Sequence, residues 1–153
     1  MKAIYGLLGY PLGHSFSKSY FNEKFQSEHI SAEYRNFEIP DISLVKELVA
    51  AQPDLRGLNV TIPYKESVIK YLDDLDEKAA RIGAVNVIKF IRKKNEVRLV
   101  GYNSDIVGFK NSIEPLLPYG STDALVLGTG GASKAVCCAL RDLDITPVYV
   151  SRA

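Results

Sequence analysis

The sequence predicts an α/β fold: a mixed, mostly parallel sheet first, then an incomplete second β-α-β unit. Three observations predict it. Strand-like apolar runs alternate with helix-period segments along the chain. A short charged connection, Arg92-Lys93-Lys94-Asn95-Glu96, joins two strand-like segments, so at least one strand pair is antiparallel. A glycine-rich turn, Gly128-Thr129-Gly130-Gly131-Ala132, follows apolar Leu125-Val126-Leu127 and opens another helix-period segment.

The elements follow in order. Residues 3–9 form an apolar run punctuated by Gly6 and Gly9 and read as the first strand, which Tyr10-Pro11-Leu12-Gly13 breaks. Ser17 suits the cap of a helix over 18–28, with Tyr20, Phe21 and Phe25 on one face. Aromatic-rich alternation predicts a strand at 33–39. Asp41 or Ser43 starts a helix whose stripe is Leu44, Val45, Leu48 and Val49. A strand at 57–62 ends at Pro63, and helices are expected over 64–72 and 76–82. The hairpin strands fall at 85–91 and 96–101. A helix over 104–117 ends at Pro118, and Pro118-Tyr119-Gly120-Ser121 reads as a domain boundary. Strand 123–127, helix 131–142 and strand 146–150 complete the pattern. The expected organisation is therefore a first domain at 1–102, a linking helix and boundary at 103–120, and a first β-α-β at 121–153. Sheets opened by such a turn use several more strands, so the chain is expected to be part of a larger protein.

Bulk properties exclude several classes of function. The 153 residues carry 19 basic and 18 acidic side chains, a formal net charge of +1. That balance offers no basic excess for a phosphate backbone, so nucleic-acid binding is not expected. No apolar stretch is long enough to span a bilayer, and the first residues read as a strand, not a secretion signal. The two cysteines, Cys137 and Cys138, are adjacent in an apolar helical pattern; they suit a core position and a reduced, cytoplasmic setting. His14 has no carboxylate or cysteine at ligand spacing, and no metal site is expected.

The glycine turn has a definite physical use. Glycines allow a tight turn and close approach to a pyrophosphate, and the following helix offers unpaired N–H groups to that anion. This marks a Rossmann-type unit. Where such strands usually end in an acidic residue for the ribose hydroxyls, this one ends in Ser151 and Arg152. Arginine there suits a 2′-phosphate, which favours NADP over NAD.

A second constellation lies earlier. Lys65 follows Pro63-Tyr64 at an expected helix start, an unfavourable position for a cation toward the helix dipole. Asp105 stands at another helix start after a strand, where it can pair with Lys65 or act as a cap with Asn103; spacing alone favours the cap. Ser15 and Ser17, two residues apart after a strand, suit convergence on one carboxylate, or simple helix capping.

Taken together, Ser15-x-Ser17, Asn59-Val60-Thr61-Ile62-Pro63-Tyr64-Lys65, Gly83-Ala84-Val85-Asn86, Asn103-Ser104-Asp105 and the Gly128–Ala132 loop resemble the shikimate dehydrogenase family. The resemblance implies reversible, NADP-dependent reduction of 3-dehydroshikimate to shikimate. It implies Lys65 and Asp105 as the catalytic pair. Ser15 and Ser17 would hold the substrate carboxylate, and Asn59, Thr61, Lys65, Asn86 and Asp105 would hold the rest. Gly128, Thr129, Gly130, Gly131, Ala132, Ser151, Arg152 and Glu77 would face the cofactor. The alternatives are a quinate/shikimate enzyme using NAD, or a non-catalytic shikimate-binding module. Monomer and homodimer are both left open. This sequence departs from the family pattern at Lys18, where proline is common, at Phe21, where histidine is common, at Val87 and Ser104, where threonine is common, and at Ser151 and Ala153 around the expected phosphate clamp.

Overall fold

The computed structural model describes residues 2–13, 15–94 and 96–151. The first sheet has six strands: β1 (Ala3–Gly9), β2 (Ala32–Glu38), β3 (Leu55–Val60), β4 (Asp74–Leu75), β5 (Val87–Lys93) and β6 (Glu96–Tyr102), in the order β2-β1-β3-β5-β6-β4. β1 pairs in parallel with β2 and β3, whereas β5 runs antiparallel to both β3 and β6. The expected mixed, mostly parallel sheet thus appears with the hairpin as its antiparallel part. A separate parallel pair, β7 (Asp123–Leu127) and β8 (Thr146–Val150), forms the second unit.

Side-chain alternation divides the first sheet into two faces. One face carries Leu8, Leu55, Leu58, Val60, Ile88 and Phe90 into the main core, against Val45 and Val49 of helix α2 (Val45–Ala51). The other face, with Leu7 and Tyr34, is covered by helix α1 (Phe16–Ser27) through Phe21 and Phe25. Asn22 clamps that helix to β2: its Oδ1 accepts the Tyr34 N–H at 2.9 Å and its Nδ2 donates to the Tyr34 carbonyl at 2.9 Å.

Several expected elements change. Residues 64–72 do not form an α-helix; a 3-10 turn spans Ser67–Tyr71 instead. The Lys65 carbonyl accepts the Val85 N–H at 2.7 Å, which takes it out of any i to i+4 ladder. Lys65 is therefore not at a helix N-terminus, and the expected dipole effect on it does not arise. Ser17 is not a cap: α1 begins at Phe16, Ser15 holds the N-cap position, and its side chain makes no capping bond. The helix expected over 104–117 is α4 (Asp105–Ile113) followed by a 3-10 turn at Glu114–Leu116, because Pro115 lacks the N–H that an α-turn needs. The two-residue strand β4 was not foreseen; it pairs in parallel with β6. Other boundaries shift by one or two residues.

Helix α3 (Glu77–Ile82) is well signalled locally. Asp76 caps it by accepting the Ala79 N–H at 2.9 Å, and Gly83 ends it at φ 69°. A residue with a Cβ is strained in that left-handed conformation, so glycine is the natural terminator. Helix α5 (Gly131–Arg141) packs on α4 and on the end of α3 through Ile82, Ala84, Ile106, Ala135 and Ala139. Small residues predominate there, so the backbones approach closely. Arg81 adds a bidentate pair to Asp142 at 2.9 and 2.7 Å, and Lys134 pairs with Glu66. These contacts seat the second unit against the edge of the first. Among the described residues no helix is long and apolar enough to cross a membrane.

Candidate functional site

The site forms where three segments meet: the turn after β3, the Gly83–Asn86 connection into β5, and the junction of β6 with α4. Backbone bonds hold the connection from both sides. Val85 donates to Lys65 O at 2.7 Å, Asn86 donates to Tyr102 O at 3.0 Å, and the Asn86 carbonyl accepts the Val60 N–H at 2.8 Å. Tyr64, itself buried, anchors the turn from below by donating its hydroxyl to Ile39 O at 2.5 Å. Lys65 is thus fixed at its backbone before its side chain is considered.

The side chain reaches Asp105. Lys65 Nζ lies 2.6 Å from Asp105 Oδ2, with the side chains 17% and 33% exposed. Asn86, which is buried, donates Nδ2 to the other carboxylate oxygen at 2.6 Å and to Ser104 Oγ at 2.9 Å; its Oδ1 accepts the Ser104 N–H at 2.8 Å. Asn103, also buried, donates to Ala84 O at 2.9 Å and accepts the Asp105 N–H at 3.0 Å. Both carboxylate oxygens are thereby engaged, one by a cation and one by an amide, so the carboxylate cannot swing away without losing two bonds. Charge-assisted bonds in a partly dry setting are stronger than neutral ones. The expectation that spacing favours Asp105 as a cap is corrected: Ser104 holds the N-cap position, and Asp105 is the first helical residue with its side chain turned to Lys65. An ammonium held this way can donate a proton to an oxygen on which negative charge develops, and take it back.

The glycine loop meets the same lysine. A Cβ built on Gly131 would lie 3.0 Å from Lys65 Cβ and 3.5 Å from Ala84 Cβ. Gly131 is therefore small for packing, and the start of α5 lies directly beside Lys65. Gly128, at φ 108°, and Gly130, the N-cap of α5, have nothing within 4 Å of a built Cβ. Gly128, Thr129 and Ser151 line a cavity of about 590 Å³. Open space over a bare backbone at a helix start fits a pyrophosphate. Ala132 is in the first turn of α5. Glu77 is exposed in the first turn of α3, the helix that Arg81 ties to α5. Arg152 and Ala153, the expected phosphate clamp, lie outside the described residues, as does His14.

The serines occupy a second concavity. Ser15 and Thr61 line a cavity of about 450 Å³ together with Leu7, Pro11, Leu12 and Ile62. The Ser15 hydroxyl is buried and has no hydrogen-bond partner among the described residues. A buried hydroxyl left unpaired is costly, and a polar group of a ligand would relieve it. Asn59 meets Tyr34 instead, whose hydroxyl donates to Asn59 Oδ1 at 2.8 Å. Tyr34 was missed by sequence reasoning; its position on an alternating strand marks it only as core. The structure thus brings Lys65, Asn86, Asp105 and Gly131 together, sets Ser15 with Thr61, and sets Asn59 with Tyr34. Among the described residues no group of three His, Cys, Asp or Glu side chains is arranged to hold a metal ion.

Burial pushes the Tyr34 phenol up to about 12, and the neighbouring Ser17 hydroxyl offsets part of the rise. A phenol raised from its ordinary 10 holds its proton more tightly in the folded chain than in the unfolded one. Its stabilising effect is complete below pH 10 and is lost as pH rises toward about 12. Thermal melts should show stability declining across that window, and Tyr34→Phe should make the decline shallower. A slope unchanged by the substitution would contradict this.

The fold and site define a class: an α/β protein with a lysine–aspartate ion pair set beside a glycine-rich turn between a strand and a helix. The comparisons with known proteins are specific. Residues 7–88 match the family model described as the shikimate dehydrogenase substrate binding domain. A shikimate dehydrogenase (NADP(+)) of Halothermothrix orenii is 42% identical over 150 residues, which cover 96% of this chain and 50% of that protein. The crystal structure of shikimate dehydrogenase from Aquifex aeolicus superposes with a TM-score of 0.86 at 35% identity, covering 99% of this chain and 56% of that one. Shikimate 5-dehydrogenase from Thermus thermophilus, in complex with NADP(H) and shikimate, superposes with a TM-score of 0.83 at 32% identity, covering 99% and 56%. The chain belongs to the shikimate dehydrogenase family. It spans about half the length of the curated relatives it matches.

Proposed function

We propose that this chain supplies the substrate-binding half, and the first β-α-β of the cofactor half, of an NADP-dependent shikimate dehydrogenase. The reaction is the reversible reduction of 3-dehydroshikimate to shikimate, a step toward aromatic amino acids, carried out in the cytoplasm. The observation that carries the reading is the Lys65–Asp105 pair, 2.6 Å apart and next to Gly131 at the start of α5. Residues 1–102 form the substrate domain, 103–120 the link, and 121–153 the opening of the nucleotide domain. NADP, when bound over Gly128, Thr129, Gly130, Gly131 and Ala132, supplies or accepts the hydride. By the family resemblance, Ser151 and Arg152 would meet its 2′-phosphate and Glu77 its nicotinamide.

The remaining chemistry belongs to side chains of this chain. Lys65 holds a proton toward the ring carbonyl oxygen and releases it as that oxygen becomes an alkoxide. Asp105 compensates the ammonium and keeps it in place, while Asn86 and Asn103 keep Asp105 in place. In the reverse direction Lys65 takes the hydroxyl proton. Ser15, with its unpaired buried hydroxyl, and Ser17 hold the substrate carboxylate. Asn59, Thr61 and Asn86 hold hydroxyls of the ring. The near-zero net charge gives no support to a nucleic-acid partner.

Titration calorimetry tests this on the chain itself. Shikimate should bind saturably, and Ser15→Ala should weaken it about ten- to a hundredfold, the value of one hydrogen bond to a charged group. A folded chain that shows no shikimate binding would remove the reading.

A further inference from the structure

We propose that Tyr34 is a positioning residue for substrate binding: its hydroxyl orients the Asn59 carboxamide so that the amide's NH₂ end is left for an oxygen of the bound polyhydroxy acid. This rests on the shikimate reading above and extends it to a residue on β2 outside every motif of the site.

The geometry is unusual for a strand tyrosine. Tyr34 is 2% exposed. Its hydroxyl belongs to β2, yet it reaches past β1 to β3, where Asn59 stands two residues before Thr61. Three contacts hold it. Its ring stacks on Phe21 with centroids 4.7 Å apart and planes 19° from parallel. Asn22 binds both its backbone N–H and its carbonyl. β1 pairs alongside, Tyr5 opposite Tyr34. The hydroxyl therefore has little freedom before it meets Asn59.

An asparagine side chain has one acceptor end and one donor end, and in a site either can face a ligand. A phenol donor occupies the oxygen end at 2.8 Å. The two amide protons then lie at the other end, and Nδ2 has no hydrogen-bond acceptor among the described residues. The substrate class rich in acceptors, a hydroxylated carboxylate, matches that end.

The test is a double-mutant cycle read by calorimetry with shikimate, on this chain and on the gene product that carries it. Tyr34→Phe keeps the ring and its stack and removes only the hydroxyl. It should weaken shikimate binding about three- to tenfold, the worth of an oriented hydrogen bond, with the melting temperature nearly unchanged. In the gene product KM for shikimate should rise, while kcat and KM for NADP stay within about twofold. In an Asn59→Ala background Tyr34→Phe should have no further effect on shikimate binding. Wild-type binding by Tyr34→Phe overturns the positioning role, and so does an equal fractional loss in both backgrounds, which a merely structural role would produce. Shikimate binding retained by the wild type in either case leaves the functional reading standing. No shikimate binding by the wild type overturns that reading and the positioning role with it.

Discussion

Lys65→Ala should lower turnover by about a hundred- to ten-thousand-fold, the range typical of a lost general acid–base group. Shikimate affinity should change far less. The measurement is steady-state oxidation of shikimate with NADP by the gene product that carries this chain, beside calorimetry of the substrate alone. The reason for the split lies in the geometry. Lys65 Nζ is already engaged by Asp105 at 2.6 Å, so the substrate gains little ground-state binding from it. On the proposed reading the ammonium gives up a proton as an alkoxide forms, and that benefit exists only in the transition state. Lys65→Arg should not restore the rate, because a guanidinium does not release its proton at ordinary pH. Turnover within a few fold of wild type in Lys65→Ala would end the catalytic assignment. A parallel fall in shikimate affinity and turnover would mean that the lysine only binds.

Gly6→Ala should be among the most damaging single-methyl changes in the molecule. A Cβ there would lie 2.4 Å from Phe37 Cε2 and 2.5 Å from the Arg35 carbonyl oxygen. The ring can turn aside, but the carbonyl belongs to β2, which is paired with β1 along seven residues from Ala3 to Gly9. Relief requires the two strands to separate at that point, with loss of ladder bonds. Overpacking of this type costs about 1–3 kcal/mol and more when backbone must move, and each kcal/mol lowers Tm by roughly 2–4 °C at this chain length. Gly108→Ala is the control. Gly108 lies exposed in α4 with nothing within 4 Å of a built Cβ. The same methyl there should stabilise by about 0.5–1 kcal/mol, because glycine in a helix interior gives up more backbone freedom than alanine. Urea unfolding of the two variants checks the opposite signs. Equal midpoints would show that β1 and β2 are not as closely held as the contact distance implies.

Both results bear on the binding groups. β1 leads into the Ser15 loop, and β2 carries Tyr34. Looser pairing of these strands should weaken shikimate binding in Gly6→Ala even where the variant remains folded.

Much of the architecture was legible in local patterns. The apolar run 3–9, the alternation at 33–39 and the charged hairpin turn each carry their own periodicity or break, and β1, β2, β5 and β6 fall within two residues of the expected places. Helix α3 falls where a helix over 76–82 was expected, with Asp76 capping it and Gly83 ending it. The places that misled are those where a distant segment intervenes. Residues 64–72 have the composition of a helix, but the Val85 N–H claims the Lys65 carbonyl. Ser17 has the look of a cap, but the helix begins earlier, at Phe16, with Ser15 in the N-cap position.

The site divides along the same line. Local order determined by itself that a glycine loop would open a helix after a strand, and that Lys65 and Asp105 would each stand beside a strand end. It could not say that they meet: they are 40 residues apart, and spacing taken alone favoured a cap for the aspartate. Only the order β3-β5-β6 in the sheet brings the turn after β3 to the end of β6. Only the packing of α5 on α4 brings Gly131 against Lys65. A residue's neighbours along the chain limit the hydrogen bonds within its own segment, whereas contacts between segments depend on which strands pair, and that is settled by burial of the whole sheet.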